Sequence, residues 1–153
     1  MMKVIVFQLN EQAYGVDIQQ VRSIERMQKI TGVPNTADFI KGVMNLRGET
    51  TPIIDLKERL RMPGQGETGY TDETRILIVY LDQVQFGLIV DAATNVVDIV
   101  ATAIEPAPVI IGGVHEAYLK GVAKLENELL ILLDLERILN TDETNRVREA
   151  VEE

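Results

Sequence analysis

A chain of 153 residues with 24 acidic and 15 basic side chains carries a formal charge of -9 at neutral pH, and 46% of it is apolar. That balance belongs to a globular protein, and the length supports one ordinary domain or two small ones that bury roughly 70% of their unfolded surface. Without cysteine and with a single histidine the chain offers no disulfide framework and no thiolate or imidazole metal site, and its charge argues against nucleic acid and anionic membranes.

Met1-Met2-Lys3-Val4 leaves no room for a basic region followed by a signal core, so a cytoplasmic address is expected. No apolar run approaches the roughly 18 residues of a membrane span. Residues 3–9 are an apolar run, Asn10-Glu11 is a turn, and Gln12 to Ile18 returns, which predicts a hairpin. Asn10 tolerates left-handed geometry. Gly15, inside the returning strand, predicts a bulge or a close backbone approach. A second hairpin runs from Gly42 to Leu46, turns at Arg47-Gly48-Glu49, and continues from Thr50 to Ile54, with Gly48 supplying the positive φ. Asp55, with Glu58 three residues on, opens a short helix over Leu56 to Leu60 in the manner of a capping box. Met62-Pro63-Gly64-Gln65-Gly66-Glu67-Thr68-Gly69 reads as a connector, and no Gly-Lys-Ser/Thr follows it to make a phosphate loop.

Beyond the connector the chain repeats itself. Residues 75–81, Asp82-Gln83 and 84–90 restate the first hairpin, with Gly87 for Gly15. Residues 119–139 align with 40–60 at eight identities in 21 positions, where chance gives about one or two. Gly121 stands for Gly42 and Asp134 for Asp55, and in the turn Glu126-Asn127-Glu128 the residue Asn127 replaces Gly48 at positive φ. The offset is 72 residues in the first block and 79 in the second, so the second copy carries extra length, expected as an extended loop around Glu105-Pro106-Ala107-Pro108. His115, beside two glycines, reads as a surface loop residue. Leu129 to Leu133 is apolar throughout, as in a strand covered on both faces. Leu135 to Leu139 is a second short helix, and Thr141-Asp142-Glu143 opens a last one with Val147, Ala150 and Val151 on one face.

Four to five short strands per copy predict a mostly β protein of two small barrels related by a pseudo-twofold. The repeats span approximately 3–62 and 74–140, a crossing of the chain ends between them is left open, and 141–153 forms a C-terminal helix or tail. One copy of about 75 residues is marginal alone, so the two are expected to share a core.

The stretch Phe39-Ile40-Lys41-Gly42-Val43-Met44-Asn45-Leu46-Arg47-Gly48, followed by Pro52-Ile53-Ile54-Asp55-Leu56, resembles the signature of the bacterial chemotaxis coupling proteins, the CheW family. Tyr14-Gly15-Val16-Asp17-Ile18 and Leu132-Leu133-Asp134-Leu135-Glu136 are similar to that family too, and the likeness covers essentially the whole chain. The resemblance implies one CheW-like domain over 1–153, built of two five-stranded SH3-like barrels. It implies a non-catalytic scaffold without cofactor or metal. Its partners would be the regulatory domain of the chemotaxis histidine kinase, itself a CheW-like module, and the cytoplasmic tip of chemoreceptors, with no nucleic acid and no membrane insertion. Such a protein is cytoplasmic, recruited to receptor arrays, and monomeric when free. Kinase contact is expected mainly on the first barrel and receptor contact near an apolar groove between the barrels. An adaptor of the same fold in a non-chemotaxis kinase pathway would use the same docking chemistry.

The resemblance makes Asn45, Arg47 and Gly48 candidate partner-binding residues, together with Val21 and Ile24 on a strand near the receptor groove. Arg47 is where the copies depart, since its counterpart is Glu126. Ser23 stands where many relatives carry an acid, and Thr50 and Thr51 are more polar than the aliphatic residues common there. Gly15, Gly42, Asp55, Gly87, Gly121 and Asp134 read as structural. Two repeat-related aspartates could in principle share a proton as a hydrolase dyad. Asp55 and Asp134 precede Leu-Lys and Leu-Glu, however, rather than the Thr/Ser-Gly of such enzymes, and helix capping accounts for both better.

Overall fold

The computed structural model describes residues 1–34, 38–62, 70–108, 110–111 and 114–139. All of the expected connector 62–69 except Met62, and the helix or tail expected over 141–153, lie outside these.

In chain order the strands are β1 (Met2–Leu9), β2 (Gln12–Asp17), β3 (Val21–Arg26), β4 (Ile40–Leu46) and β5 (Glu49–Asp55), then helix α1 (Leu56–Arg59). The second half gives β6 (Arg75–Leu81), β7 (Val84–Val90), β8 (Ala92–Ile99), the two-residue strands β9 (Ile104–Glu105), β10 (Ile110–Ile111) and β11 (Val114–His115), then β12 (Leu119–Lys124), β13 (Leu129–Leu133) and helix α2 (Leu135–Leu139). The extra length of the second copy therefore holds the small β10–β11 pair as well as loop, and the backbone of His115 is in a strand.

Neither sheet comes from one half of the chain. A five-stranded sheet has the order β3-β6-β7-β5-β4, and a six-stranded sheet the order β8-β1-β2-β13-β12-β9. Each half thus lends its first hairpin to the other half's sheet. The joins are the same in both: β5 runs parallel to β7, and β13 parallel to β2. Each sheet also curls back on itself. The chain leaving β3 returns at Thr31 to pair with Val43 of β4, and the chain leaving β8 returns as β9 to pair with β12.

Alternation along the strands explains the long apolar runs. In β13, Leu130 and Leu132 enter a small core inside the six-stranded sheet, with Val4, Val6 and Ala13, while Ile131 and Leu133 face the other way. In β6, Ile76 and Ile78 enter a small core inside the five-stranded sheet, with Met44, Leu46 and Ile53, while Leu77 and Val79 face the other way. Those opposite faces meet in one shared core that includes Phe7, Tyr14, Phe86, Leu56 and Leu135. Burying each such side chain stabilises by about 1.5–3 kcal/mol, so the strands are apolar on both faces because both faces are used.

The glycines mark where backbones close in. Gly42 and Gly121 sit at register shifts in β4 and β12, with φ of 142° and 151°. A Cβ on Gly42 would lie 2.1 Å from the Thr31 carbonyl oxygen, and one on Gly121 2.6 Å from that of Glu105. These are glycine bulges that let the returning segment reach the edge strand. Gly15 and Gly87 stay in register, and packing rather than conformation accounts for them: a Cβ there would meet Val4 at 2.4 Å and Ile53 at 2.6 Å.

The two block-two turns differ. Leu46 pairs with Glu49, leaving Arg47 and Gly48 as a two-residue loop with φ of 53° and 81°. In the second copy Lys124 pairs with Leu129, so the connection has four residues, closed by the Leu125 N–H donating to the Glu128 carbonyl at 2.8 Å. Asn127 is not at positive φ there, contrary to expectation. The longer loop spreads the reversal over more residues and needs no left-handed substitute for Gly48.

Candidate docking surfaces

Arg47 occupies the first loop position of a turn that demands positive φ, a place that suits Asn, Asp or Gly better than a long side chain. Its guanidinium reaches Glu25 of β3 at 3.6 Å. Strands β3 and β4 end the sheet order, so this ion pair spans the seam where the curled sheet meets itself. Ile24, next to Glu25 and facing the opposite way, is 44% exposed. Asn45 is exposed opposite Thr50, two residues from Arg47. The structure therefore gathers Asn45, Arg47 and Gly48 at one turn and sets that turn against the end of β3. Val21, at the start of β3, instead packs on the shared core.

Other polar residues of this sheet turn inward. Thr51 is fully buried, and its hydroxyl accepts from Gln85 Nε2 at 2.8 Å. Gln85 Oε1 accepts from Arg22 at 2.9 Å, and the Arg22 guanidinium lies 5.1 Å from the centre of the Tyr80 ring. The polarity of Thr51 is thus used inside the sheet. The Ser23 hydroxyl is buried with no hydrogen-bond partner among the described residues.

Asp55 and Asp134 do not form a dyad. Asp55 accepts the Glu58 N–H at 3.2 Å at the start of α1, and its other oxygen accepts the Tyr70 hydroxyl at 3.1 Å. Burial raises the Asp55 carboxyl above the usual range, the Glu58 charge adds to that, and the Glu58 N–H, Tyr70 and Lys41 oppose it; Asp134 is not among the charges acting on it. Burial first, then the Asp55 charge, raises the Tyr70 hydroxyl in turn. Asp134 makes the corresponding cap of α2, accepting the Arg137 N–H at 3.3 Å.

Between the sheets lies a cleft of about 700 Å³ lined by Gln8, Asn10, Lys57, Thr74, Asp91 and Thr94 among others. Asp91 ties it together, accepting the Asn10 N–H at 2.8 Å and pairing with Lys57 at 2.8 Å. Polar and charged side chains dominate its lining, and neither Val21 nor Ile24 is among the lining residues. Among the described residues no three metal-ligating side chains cluster, and no helix is long and apolar enough to cross a membrane.

Residues 3–143 match the family described as the CheW-like domain. The chain belongs to the CheW-like family. It is 40% identical over 140 residues to the chemotaxis protein CheW of Bacillus subtilis, covering 92% of this chain and 88% of that one. It is 36% identical over 139 residues to chemotaxis protein CheW of Klebsiella aerogenes, covering 91% and 82%. The crystal structure of the scaffolding protein TtCheW from Thermoanaerobacter tengcongensis superposes with a TM-score of 0.82 at 37% identity, over 93% of this chain and 90% of that chain. The mostly β fold of two sheets with few short helices is that of a CheW protein, and the family is one of chemotaxis scaffolds rather than enzymes.

Sequence reasoning missed Arg59, which is 7% exposed in the middle of the fold. A signal was present. In the repeat alignment Arg59 falls opposite Ile138, a charge where the other copy is apolar, the same kind of departure that singled out Arg47.

Proposed function

We propose that the whole chain, 1–153, acts as one CheW-like domain that couples the cytoplasmic tips of chemoreceptors to the regulatory domain of a chemotaxis histidine kinase, without catalysis of its own. Family membership over residues 3–143 carries this reading. Physical chemistry supports it. A receptor tip is a helical bundle, and such bundles dock by laying side chains into a surface built of sheet and turn. A kinase domain of the same fold would meet edge strands and turns like those around Arg47. The protein works from the cytoplasm as a free monomer and joins membrane-associated receptor arrays through these contacts.

Arg47, with Asn45, Gly48 and Ile24, belongs to a contact surface in this reading. The Arg47–Glu25 pair is half exposed, so its loss costs folding stability less than about 1 kcal/mol. Arg47→Glu should therefore melt within a few degrees of the parent and yet bring down less kinase regulatory domain or receptor hairpin in a pull-down. A folded Arg47→Glu chain that captures both at parental levels would remove Arg47 from the contact.

A further inference from the structure

Arg59 of α1 carries its charge into the interior without a carboxylate partner among the described residues. Its guanidinium lies 5.3 Å from the centre of the Phe39 ring and 4.8 Å from that of Tyr118. Nε donates to the Ile138 carbonyl of α2 at 2.8 Å, and Nη1 donates to the Tyr118 hydroxyl at 3.1 Å. These partners are not arbitrary. Phe39 and Tyr118 are repeat counterparts, and their carbonyls accept the N–H groups of Asp55 and Asp134, at 2.8 and 2.9 Å. Ile138 is the repeat counterpart of Arg59 itself. One side chain from the first copy thus grips the same structural position in both copies, at the pseudo-twofold.

Two other kinds of contact between the units stand beside it among the described residues. The shared core is apolar, and apolar contact is non-directional and survives small slips. The Lys57–Asp91 pair is directional but partly solvated, with side chains 20% and 36% exposed, so it holds weakly. Arg59 is both buried and directional, because its planar fork fixes angles as well as distances.

We propose that Arg59 is the positioning residue that sets the orientation of one repeat unit against the other, and through it the placement of the Arg47 contact surface relative to the six-stranded sheet. The second clause rests on the coupling function above, and the first does not. The chain has no native cysteine, so Arg26→Cys on β3 and Lys124→Cys on β12, both exposed, can be spin-labelled to read the distance between the sheets. The parent should give one narrow distribution. Arg59→Met keeps most of the side-chain volume and removes a buried charge, a change that is often neutral for stability. It should stay folded with a distribution about twice as broad or displaced. Arg59→Lys and Tyr118→Phe, milder changes, should broaden it less and keep the test readable if Arg59→Met does not fold.

In a reconstituted assembly Arg59→Met should bind a soluble receptor hairpin and the kinase regulatory domain singly within about threefold of the parent, and lose about tenfold or more in receptor control of the kinase. A folded Arg59→Met chain with the parental distance distribution overturns the positioning role. Parental distances broadened as expected, with receptor control intact, overturn its link to assembly. If the unsubstituted chain itself binds neither partner, the coupling function fails, and the distances still decide the role of Arg59.

Discussion

Asp55 shows how a single side chain serves geometry at an electrostatic cost. Its carboxylate caps α1 and receives the Tyr70 hydroxyl, yet burial lifts its proton affinity above that of an ordinary aspartate. Between the ordinary and the raised value the folded chain keeps a proton that the unfolded chain has released, so stability falls as pH rises through that window. Asn keeps a cap oxygen for the Glu58 N–H, and its amide can donate to Tyr70. Asp55→Asn should therefore be at least as stable as the parent at pH 7, with the difference shrinking as pH falls to roughly 4. Urea midpoints across that range check this, and a pH-independent difference would contradict it. The capping role was legible from Asp-Leu-Lys-Glu alone, because a cap is a local matter of a few residues. The Tyr70 hydroxyl was not, because it arrives from beyond the connector.

At the scale of elements the glycine bulges have the largest expected effect. Gly42 combines a backbone conformation closed to other residues with a carbonyl oxygen where a Cβ would be. Relief would require moving the Thr31 backbone, which pairs with Val43 through two hydrogen bonds of 2.8 Å. Gly42→Ala should cost more than about 2 kcal/mol, well above the typical substitution, and Gly121→Ala should behave alike. Chemical denaturation measures it, and a cost below about 0.5 kcal/mol would mean the bulge is not needed. The sequence showed these glycines as paired across the repeat without showing why. Hairpins were readable because turn chemistry is local, whereas the segment crossing over Gly42 is brought there by tertiary pairing. Strand β8 escaped for a related reason: its apolar residues do not alternate with a clear period, since part of its surface is exposed as an edge.

For the whole molecule, the exchange of first hairpins makes the halves interdependent. Duplication was visible as matching blocks, but a strand apolar on both faces carries no mark of which neighbour it will take, and parallel joins such as β5 with β7 are non-local. A fragment of residues 1–72 lacks β6 and β7, the strands between β3 and β5. It should show no cooperative melting by circular dichroism, and adding residues 73–153 should restore one. Cooperative melting of 1–72 alone would contradict the exchanged arrangement. The interlock suits a scaffold, since neither unit can open without disturbing the other's sheet.

The most direct test of the coupling account is kinase phosphorylation in a reconstituted mixture of receptor cytoplasmic fragments, kinase and this chain, compared with the same mixture without it. The account predicts that the kinase comes under receptor control only when the chain is present. Equal kinase activity with and without the chain, under conditions where receptor and kinase are both competent, would contradict it.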